Sequence, residues 1–419
     1  MSALYDLFRD HPRVTTDSRH IEPGGIFFAL KGERFDGNRF AAESLRLGAA
    51  FGVADDPALR DDPAAREGRL IVVDDALGAL QELAREHRRE LGIPVLAVTG
   101  SNGKTTTKEL LRRVLSERFT VLATGGNLNN HIGVPLTLLS LTREAEFAVV
   151  EMGASARGEI ALLASIAEPN YGLITNIGRA HLDGFGGPEG VRRGKGELFD
   201  FLRDNGGRAF VAAEDATLTA MAREREPMAV EYYSLALADD VPCHLEGEYN
   251  RANVAAAVAV GRYFGIAEER ILHAVDSYVP TNNRSQRMLT ERNTLILDCY
   301  NANPSSMQAA LDNFLVQQPD AGAGKAVILG DMLELGDWSR DEHRHVVRLA
   351  ARDTQARILL VGEHFAEACR SLDPLPPNVT CFPTRQELEE HLDRNPLSGS
   401  LILVKGSRGI GLEHLTGRL

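Results

Sequence analysis

The stretch that decides the fold is "LAVTGSNGKTTTKELLRRVL", residues 96–115. An apolar run ends in a glycine-rich turn that carries a lysine and three threonines, and a helical pattern follows at once. This order predicts a strand, a phosphate-binding loop and a helix. The loop is shorter than the common G-x-x-x-x-G-K-[ST] motif, because Val98 stands where the first glycine of that motif is expected.

The loop keeps the chemistry that phosphate binding requires. Its glycines allow backbone N–H groups to converge on phosphate oxygens, and the following helix directs its positive end at the anion. Lys104 supplies a point charge near the terminal phosphates, and Thr105 offers a hydroxyl to magnesium. An ordinary turn with a helix cap is the alternative, which the strand–loop–helix context disfavours. The predicted nucleotide loop comprises Gly100, Ser101, Asn102, Gly103, Lys104, Thr105 and Thr106.

The bulk composition excludes several classes of protein. The 419 residues correspond to about three domains. A net charge of -13 argues against general nucleic-acid binding, which favours a basic surface. No apolar run approaches the roughly 20 residues of a membrane span, so no membrane insertion is expected, and the N-terminus lacks the pattern of a secretion signal. The four cysteines are scattered along the chain, so we expect unpaired thiols and a cytoplasmic protein.

Alternating apolar strands and helical segments predict an α/β fold in three domains. Residues 1–88 mix short strands with glycine-rich turns, and a charged helix then leads to Pro94. In residues 89–288 the alternation predicts a parallel sheet flanked by helices. A second series of the same kind, residues 289–419, predicts another α/β domain.

Polar side chains end several of the predicted strands. Ligands of open α/β sheets bind outside the carboxyl ends of the strands, so these residues predict either two sites or one site between facing domains. Helix caps and turns are the alternative for any one of them. Glu151 follows the strand "FAVV" beside the nucleotide loop, and its carboxylate can hold magnesium, which prefers oxygen ligands. The set is Glu151, Asn176, Asp298, Asp331 and Lys405.

One lysine falls on an apolar helix face. If "PEGVRRGKGELFDFLRD", residues 188–204, is a helix, Val191, Lys195, Leu198, Phe199 and Leu202 share one side of it. A bare ammonium on that stripe is costly. The side chain either extends outward to water, as lysines usually do, or has a special role in the interior.

The segment "TGSNGKTTT" resembles the ATP loop of the Mur ligase superfamily. This group includes the muramyl-peptide ligases, folylpolyglutamate synthases and cyanophycin synthetases, all of which join an amine to a carboxylate using ATP. The resemblance extends over nearly the whole chain. It implies a small N-terminal α/β UDP-binding domain, a central P-loop ATPase-like domain with a parallel sheet, and a C-terminal Rossmann-like α/β domain.

The resemblance also implies a metal centre. His181, in "ITNIGRAHLDGFG", is similar to a metal-binding histidine of the superfamily. The lysine that matches Lys195 is typically carbamylated there and helps to ligate a second Mg²⁺ ion. The implied metal ligands are Thr105, Glu151, His181 and Lys195. The implied catalytic residues are Lys104, His181, Lys195 and Arg284.

Two further segments resemble the parts of the superfamily that surround ATP. "LEGEYNRANVAAAVAV" is similar to the segment that flanks adenine, with Asn250 and Asn253 as its amides and Tyr249 where histidine is common. An Ala-rich core helix is the alternative. "VPTNNRSQRM" is similar to a segment whose arginine, here Arg284, approaches the phosphates, and Asn283 replaces a glycine there. A polar linker is the alternative for this second segment.

The flanking domains narrow the resemblance to the branch that adds D-alanyl-D-alanine. The segments of the last domain that show this resemblance are "LILDCYNANPSSMQAAL", "AVILGDMLELGDWSRDEH" and "LVKGSRGIGLE". In the first domain "DSRHIEPGG" resembles a UDP-binding signature, and "GGNLNNHIGVPLTLL" resembles a loop that meets the muramyl peptide. Asp298 joins the implied ATP contacts. The implied substrate contacts are Ser18, Arg19, Asn127, Asn129, Asn130, Tyr300, Asn301, Asn303 and Lys405.

The resemblance implies an ATP-dependent ligase that forms a carbon–nitrogen bond. Its substrates would be UDP-N-acetylmuramoyl-tripeptide and D-alanyl-D-alanine, joined through an acyl phosphate in cytoplasmic peptidoglycan synthesis by a monomer. The alternative is a MurE-like or folylpolyglutamate-type ligase with a different amine donor. A P-loop switch that performs no ligation is a third class, but the chain lacks the Asn-Lys-x-Asp guanine motif of GTPases.

Overall fold

The computed structural model describes residues 2–32, 35–281, 283–319 and 323–419. Within these residues three sheets follow one another along the chain, each built mainly of parallel strands and packed with helices. The predicted α/β fold is therefore confirmed. Short 3-10 helices supplement these elements at Gly37–Phe40, Pro57–Asp61, Leu235–Ala238, Gly336–Trp338, Arg408–Ile410 and Leu412–Arg418.

The first sheet has four parallel strands in the order β1-β2-β5-β6, with a small β3-β4 hairpin beside it. Its strands are β1 (Val14–Thr15), β2 (Ile26–Phe28), β3 (Lys31–Gly32), β4 (Phe35–Asp36), β5 (Phe51–Ala54) and β6 (Leu70–Val72). Its helices are α1 (Ala3–Asp10), α2 (Ala41–Arg46), α3 (Pro63–Arg66) and α4 (Ala76–Leu91).

The second sheet has six parallel strands in the order β12-β11-β10-β7-β9-β8. Its strands are β7 (Val95–Thr99), β8 (Val121–Ala123), β9 (Phe147–Glu151), β10 (Tyr171–Ile174), β11 (Arg208–Ala212) and β12 (Ala229–Tyr233). Its helices are α5 (Lys104–Ser116), α6 (Gly133–Leu139), α7 (Glu159–Ala167), α8 (Leu182–Phe185), α9 (Pro188–Asp204), α10 (Ala216–Arg223), α11 (Glu248–Tyr263) and α12 (Glu268–Asp276).

The third sheet has six strands in the order β13-β14-β18-β15-β16-β17, and only the edge strand β13 runs antiparallel. Its strands are β13 (Gln286–Leu289), β14 (Asn293–Asp298), β15 (Gly324–Gly330), β16 (Arg357–Val361), β17 (Val379–Phe382) and β18 (Ser400–Lys405). Its helices are α13 (Pro304–Val316), α14 (Ser339–Ala350), α15 (Glu363–Arg370) and α16 (Arg385–Arg394).

The strand order of the second sheet creates a crevice at β7. Strands β7 and β10 are neighbours, but the chain leaves β7 toward β8 on one side of the sheet and leaves β10 toward β11 on the other side. Every residue of β7 and β9 is buried, because helices cover both faces of the sheet. Ligands of doubly wound sheets bind at such a switch point, which places the predicted nucleotide loop where an anion can reach it.

Each predicted domain boundary falls inside a helix or a strand of the structure. The boundary after residue 88 lies within α4, which packs against α6 and α7 of the second sheet as well as against α1. The boundary after residue 288 lies within β13, which pairs with β14. Apolar side chains of α1, β2 and α4 share one buried cluster with those of β7 and β9. The first two parts of the chain are thus joined by a common core.

The expectation of four unpaired thiols is wrong for one pair. Cys369, near the end of α15, and Cys381, in β17, form a disulfide with a Cα–Cα distance of 6.9 Å. The two positions meet because α15 packs against β17, which spacing along the chain could not reveal. Cys243 and Cys299 are free, as predicted. Among the described helices, none has the length and apolar character that crossing a membrane requires.

Candidate active site

The predicted nucleotide loop lies between the carboxyl end of β7 and the start of α5, and its backbone requires glycine. Gly100 has φ +141° and Gly103 has φ +80°. A Cβ atom on Gly100 would lie 2.0 Å from Oγ1 of Thr175, and one on Gly103 would lie 2.5 Å from Oδ1 of Asn253. The loop therefore packs too closely against its neighbours for any side chain at either position.

The end of β10 holds this loop in place. Asn176 accepts a hydrogen bond from the backbone N–H of Asn102 (3.1 Å) and donates one to the carbonyl of the same residue (3.0 Å). The hydroxyl of Thr175 donates to that carbonyl as well, at 2.5 Å. With its backbone fixed in this way, the loop is organised before any ligand arrives, so binding costs little ordering of the chain.

The side chain of Lys104 folds back onto the backbone of the nucleotide loop. Its Nζ donates to the carbonyl oxygens of Gly100 (2.8 Å) and Ser101 (3.2 Å). Burial lowers the pKa of Lys104 to about 8; the cation of Arg284 acts in the same direction and the carboxylate of Glu151 opposes them. An anion in the loop would stabilise the charged form of this amine.

Glu151 is a buried carboxylate whose hydrogen-bond partners are neutral. It is 1% exposed, and its two oxygens accept from the hydroxyl of Thr105 (2.9 Å) and the amide of Asn129 (2.8 Å). No described cation lies within 4 Å of it. Buried charges are normally paired or coordinate metals, and oxygen ligands suit Mg²⁺, so these residues fit a magnesium ion. Among the described residues no group of three or more His, Cys, Asp or Glu is placed to hold a metal, so magnesium here would need further oxygen ligands such as phosphate or water.

The structure places Lys195 on the apolar stripe of α9, as the periodicity predicted. The side chain is 1% exposed, and its Nζ donates to the carbonyl of Ala154 (3.1 Å) and lies 5.1 Å from the ring centre of Phe185. Burial, reinforced by the cation of Lys104, lowers the pKa of this amine well below its usual value. Lys195 is therefore buried in the interior and does not extend outward to water.

His181 connects the second and third sheets. It has a left-handed backbone with φ +51° and immediately precedes α8. Its Nδ1 is hydrogen-bonded to the carboxylate of Glu334, which follows β15. That bond leaves the ring's Nε2 available to a ligand. Left-handed geometry is uncommon outside glycine and clusters at functional sites, where surrounding contacts sustain it.

The two asparagines predicted to flank adenine are bonded within the protein. The amide of Asn250 donates to the carbonyl of Glu246 (2.7 Å) and accepts from the amide of Asn253 (2.9 Å). Asn253 also accepts from the hydroxyl of Thr107 (3.0 Å). These bonds brace α11 against α5 beneath the nucleotide loop. Both residues border the cavity described below and shape its wall.

The carboxyl ends of β14 and β18 carry an ion pair. Lys405 is 2% exposed, and its Nζ lies 2.5 Å from Oδ2 of Asp298, its register partner on the neighbouring strand. Close by, the guanidinium of Arg284 lies 3.9 Å from the ring centre of Tyr300. This arrangement brings positive charge from two directions to one edge of the third sheet.

Asp331 departs from the other strand-end residues. Its carboxylate accepts from the backbone N–H groups of His364 (3.0 Å) and Phe365 (2.9 Å) and so caps α15. Its expected place in a ligand site is therefore wrong, and the helix-cap alternative holds for this residue alone. Glu151, Asn176, Asp298 and Lys405 line one cavity, which agrees with a single site between facing domains.

This cavity of about 810 Å³ lies between the second and third sheets. A hydrogen bond of 2.7 Å from the amide of Asn303 to Oδ1 of Asn102 connects its two sides. Most of the predicted site residues line it. They are Ser101, Asn102, Gly103, Lys104, Thr106, Asn129, Asn130, Glu151, His181, Asn250, Asn253, Arg284, Asp298, Tyr300, Asn301, Asn303 and Lys405.

Six predicted residues do not line the cavity. Gly100 and Thr105 belong to the loop beside it, and Lys195 lies behind its wall, bonded to Ala154. Asn127 is exposed on the loop after β8. Ser18 and Arg19 lie in the first part of the chain, where the guanidinium of Arg19 pairs with the carboxylate of Asp17 (2.8 Å).

Sequence reasoning did not select three residues that the structure brings to the site. Thr175 holds the nucleotide loop, and Ser305 lines the cavity and accepts from the backbone N–H of Arg179 (2.8 Å). Arg408 lies over the ring of Tyr300, 5.6 Å from its centre. Arg408 stands within "LVKGSRGIGLE", where an arginine shortly after an apolar strand was the available signal.

These features agree with the sequence families that the chain matches. Residues 13–88 match the "Mur ligase family, catalytic domain", residues 98–241 the "Mur ligase middle domain", and residues 283–408 the "Mur ligase, glutamate ligase domain". The chain belongs to the Mur ligase family.

Among its relatives are proteins named UDP-N-acetylmuramoyl-tripeptide–D-alanyl-D-alanine ligase. The one from Bacillus subtilis is 36% identical over 96% of this chain and 92% of its own length. The one from Escherichia coli is 35% identical over 97% of this chain and 93% of its own length. The crystal structure of MurF from Acinetobacter baumannii, 31% identical, superposes with a TM-score of 0.83 over 96% of this chain and 92% of that one. The similarity is thus end to end.

Proposed function

We propose that this chain is an ATP-dependent ligase that joins D-alanyl-D-alanine to UDP-N-acetylmuramoyl-tripeptide. One observation carries the proposal: a single cavity brings the nucleotide loop, Glu151 and Arg284 against the polar edge of the third sheet. Relatives that bear this enzyme's name match the chain over nearly its full length. A nucleotide switch needs to bind only a nucleotide, whereas a ligase must bring three substrates together, as a cavity shared between two sheets allows.

The first chemical step activates a carboxylate, which is a poor electrophile on its own. The terminal carboxylate of the tripeptide attacks the γ-phosphorus of ATP, ADP leaves, and an acyl phosphate forms. The transferred phosphoryl group spreads negative charge over its oxygens, so positioned cations supply most of the catalysis. Lys104 in the loop and Arg284 beside Tyr300 are the cations that face the cavity in this role.

In the second step the free amine of D-alanyl-D-alanine attacks the acyl carbon. A tetrahedral intermediate collapses, inorganic phosphate leaves, and the nitrogen loses a proton to give the amide. The acyl phosphate must be kept from water meanwhile. The bonds from Asn303 to Asn102 and from His181 to Glu334 hold the second and third sheets together around it.

The metal centre of this proposal uses residues whose surroundings suit it. Glu151, Thr105 and His181 would hold magnesium, together with Lys195 as a carbamate and the phosphates of ATP, in a site for two ions. Magnesium, when bound, neutralises phosphate charge and orients the reacting oxygens. A carbamate forms when the neutral amine of Lys195 bonds to the carbon of CO₂ and releases a proton. The burial that lowers the pKa of this amine favours the required neutral form.

The remaining assignments complete the proposal. Residues 1–88 bind the UDP-muramoyl peptide through Ser18 and Arg19, residues 89–288 bind ATP, and residues 289–419 present the amine donor. The muramyl peptide also meets the loop after β8, which carries Asn127, Asn129 and Asn130. The enzyme works as a monomer in the cytoplasm.

The proposal is tested by the choice of amine. The protein is incubated with ATP, magnesium and UDP-muramoyl tripeptide that contains diaminopimelate or lysine, and phosphate release is followed. D-Alanyl-D-alanine should give turnover, whereas diaminopimelate and glutamate, the donors of a MurE-like or folylpolyglutamate-type ligase, should not. Turnover with D-alanyl-D-alanine no faster than with buffer would refute the assignment.

A separate test addresses the carbamate. Lys195→Ala should lose activity and should recover part of it when a short carboxylic acid is supplied, because the acid can replace the missing anion. Lys195→Met, which keeps the apolar packing of α9 and fills the space of the lysine, should lose activity without recovery by the acid. Full activity of either variant would remove the carbamate from the mechanism.

A further inference from the structure

A smaller cavity of about 250 Å³ adjoins the large one. His181 and Tyr300 line both cavities, so the smaller one is a side chamber of the active site. Its volume lies below the roughly 300–1,000 Å³ of pockets for drug-sized ligands, so it suits a smaller molecule. The other lining residues that matter here are Glu334, Ser407 and Arg408.

Arg408 is a cation without an anionic partner. It begins the 3-10 helix after β18, and its side chain is exposed to the chamber. Its guanidinium lies 5.6 Å from the ring centre of Tyr300, and no described carboxylate forms an ion pair with it. Arg284 lies over the same ring at 3.9 Å and is also without an ion pair among the described residues. Two positive groups that share one ring repel each other, which favours an anion beside each of them.

The two arginines face different chambers. Arg284 lines the large cavity with the nucleotide loop, and Arg408 lines the small one, while Tyr300 borders both. The phosphates of a nucleotide bound at the loop would lie on the side of Arg284. Arg408 is then left for a second anion that is not part of the nucleotide.

The backbone that presents Arg408 is firmly held. The hydroxyl of Ser407 accepts from the backbone N–H of Leu333 (3.0 Å) and donates to the carbonyl of Ala302 (3.4 Å). The N–H of Ser407 donates to the carbonyl of Asp331 at 3.1 Å. A guanidinium on such a support can take a carboxylate in the bidentate arrangement that arginine favours.

The chamber also contains the opposite charge. The carboxylate of Glu334 lines it and is hydrogen-bonded to Nδ1 of His181 at the junction of the two cavities. The chamber thus presents both a carboxylate and a guanidinium, and such a pair of opposite charges complements a zwitterion. Such a zwitterion would enter with its amine toward the reacting carbonyl and its carboxylate toward Arg408.

We propose that the small cavity binds the amine donor and that Arg408 selects a donor with a free C-terminal carboxylate. The inference rests on the proposed function, in which that donor is a dipeptide. A dipeptide fits because its amine and carboxylate are separated by one peptide unit, whereas a longer peptide would extend beyond the chamber. Arg408 thus sets the specificity for a short donor that is anionic at the end remote from its amine.

The test compares D-alanyl-D-alanine with its C-terminal amide, which lacks only the negative charge. A hydrogen-bonded charge pair of this kind changes affinity by about 10- to 100-fold. The wild-type enzyme should therefore show a KM for the dipeptide about 10- to 100-fold below that for the amide. Arg408→Ala should raise the KM for the dipeptide to that of the amide, and Arg408→Lys should recover part of the preference. The KM for ATP should not change.

Two controls separate this inference from folding and from the proposed function. Arg370→Ala, at the exposed end of α15, removes an arginine from the same domain and should keep the wild-type preference. Calorimetric titration of both donors into enzyme saturated with UDP-muramoyl tripeptide and a non-hydrolysable ATP analogue measures the preference without turnover. Absence of turnover in the wild-type enzyme would refute the proposed function, and the titration would still decide the role of Arg408. An Arg408→Ala protein that retains the full preference for the carboxylate would overturn the inference.

Discussion

The buried ammonium of Lys104 makes nucleotide binding dependent on pH in a calculable way. In the free protein burial lowers its pKa from 10.5 to about 8. Bound phosphate stabilises the charged form and returns the pKa toward its ordinary value. At pH 9 the free protein would then hold this amine mostly neutral and the complex would hold it charged. Binding should take up about 0.9 proton at pH 9 and about 0.1 proton at pH 7.

The direction of this pH dependence follows from the number of protons that the free protein and the complex each bind. The complex binds more protons than the free protein between pH 8 and pH 10.5, so affinity for the nucleotide falls as pH rises through this window, by about tenfold per pH unit. Titration calorimetry with ADP in buffers of different ionisation enthalpy measures the proton uptake directly. Lys104→Arg is the matched control, because a guanidinium stays charged throughout this range. Equal proton uptake by the wild-type protein and Lys104→Arg at pH 9 would refute the reasoning.

Three further substitutions test other parts of the site. Glu151→Gln keeps the shape of a buried side chain but removes its charge, so half-maximal activity should need more than about 10-fold more Mg²⁺; an unchanged metal titration would contradict this. Gly103→Ala places a side chain in left-handed backbone against Asn253 and should cost about 1–2 kcal/mol in unfolding free energy, or more, and abolish ADP binding; normal binding would count against the close packing. Asp331→Ala removes the cap of α15 and should cost about 0.5–2 kcal/mol in denaturant unfolding while the KM for ATP stays constant; a raised KM would restore Asp331 to the site.

Features encoded within a short segment could be predicted from the sequence. The loop from Gly100 to Thr105 follows a fully buried strand and begins a helix, as its local pattern required. Helical periodicity alone placed Lys195 on the apolar face of α9, although it left open whether the amine reaches water. Glu151 was placed by its position after a strand. In each case the determining interactions lie within about two turns or one strand of the residue.

Features that depend on distant neighbours could not be predicted in this way. Asp331 and Glu151 both end strands, but Asp331 meets the start of α15 and becomes a cap, whereas Glu151 meets the nucleotide loop. The disulfide of Cys369 requires β17 to lie beside α15. The position of Arg408 over Tyr300 requires two loops of the third sheet to converge. These contacts depend on the order of the strands in the sheet, and no local sequence pattern specifies that order.

One amide side chain performs two tasks at once. Oδ1 of Asn303 caps α13 by accepting from the N–H of Ser306 (2.9 Å), while its Nδ2 donates to Asn102 in the nucleotide loop (2.7 Å). Hydrogen bonds tolerate only a few tenths of an ångström before they weaken, so the loop and α13 share one spatial reference while this contact lasts. The enzyme cannot admit or release a substrate by separating its second and third sheets without uncoupling these two elements. Any exchange of substrates by that route therefore interrupts the alignment of the loop with α13, and restoring it requires this amide contact to form again.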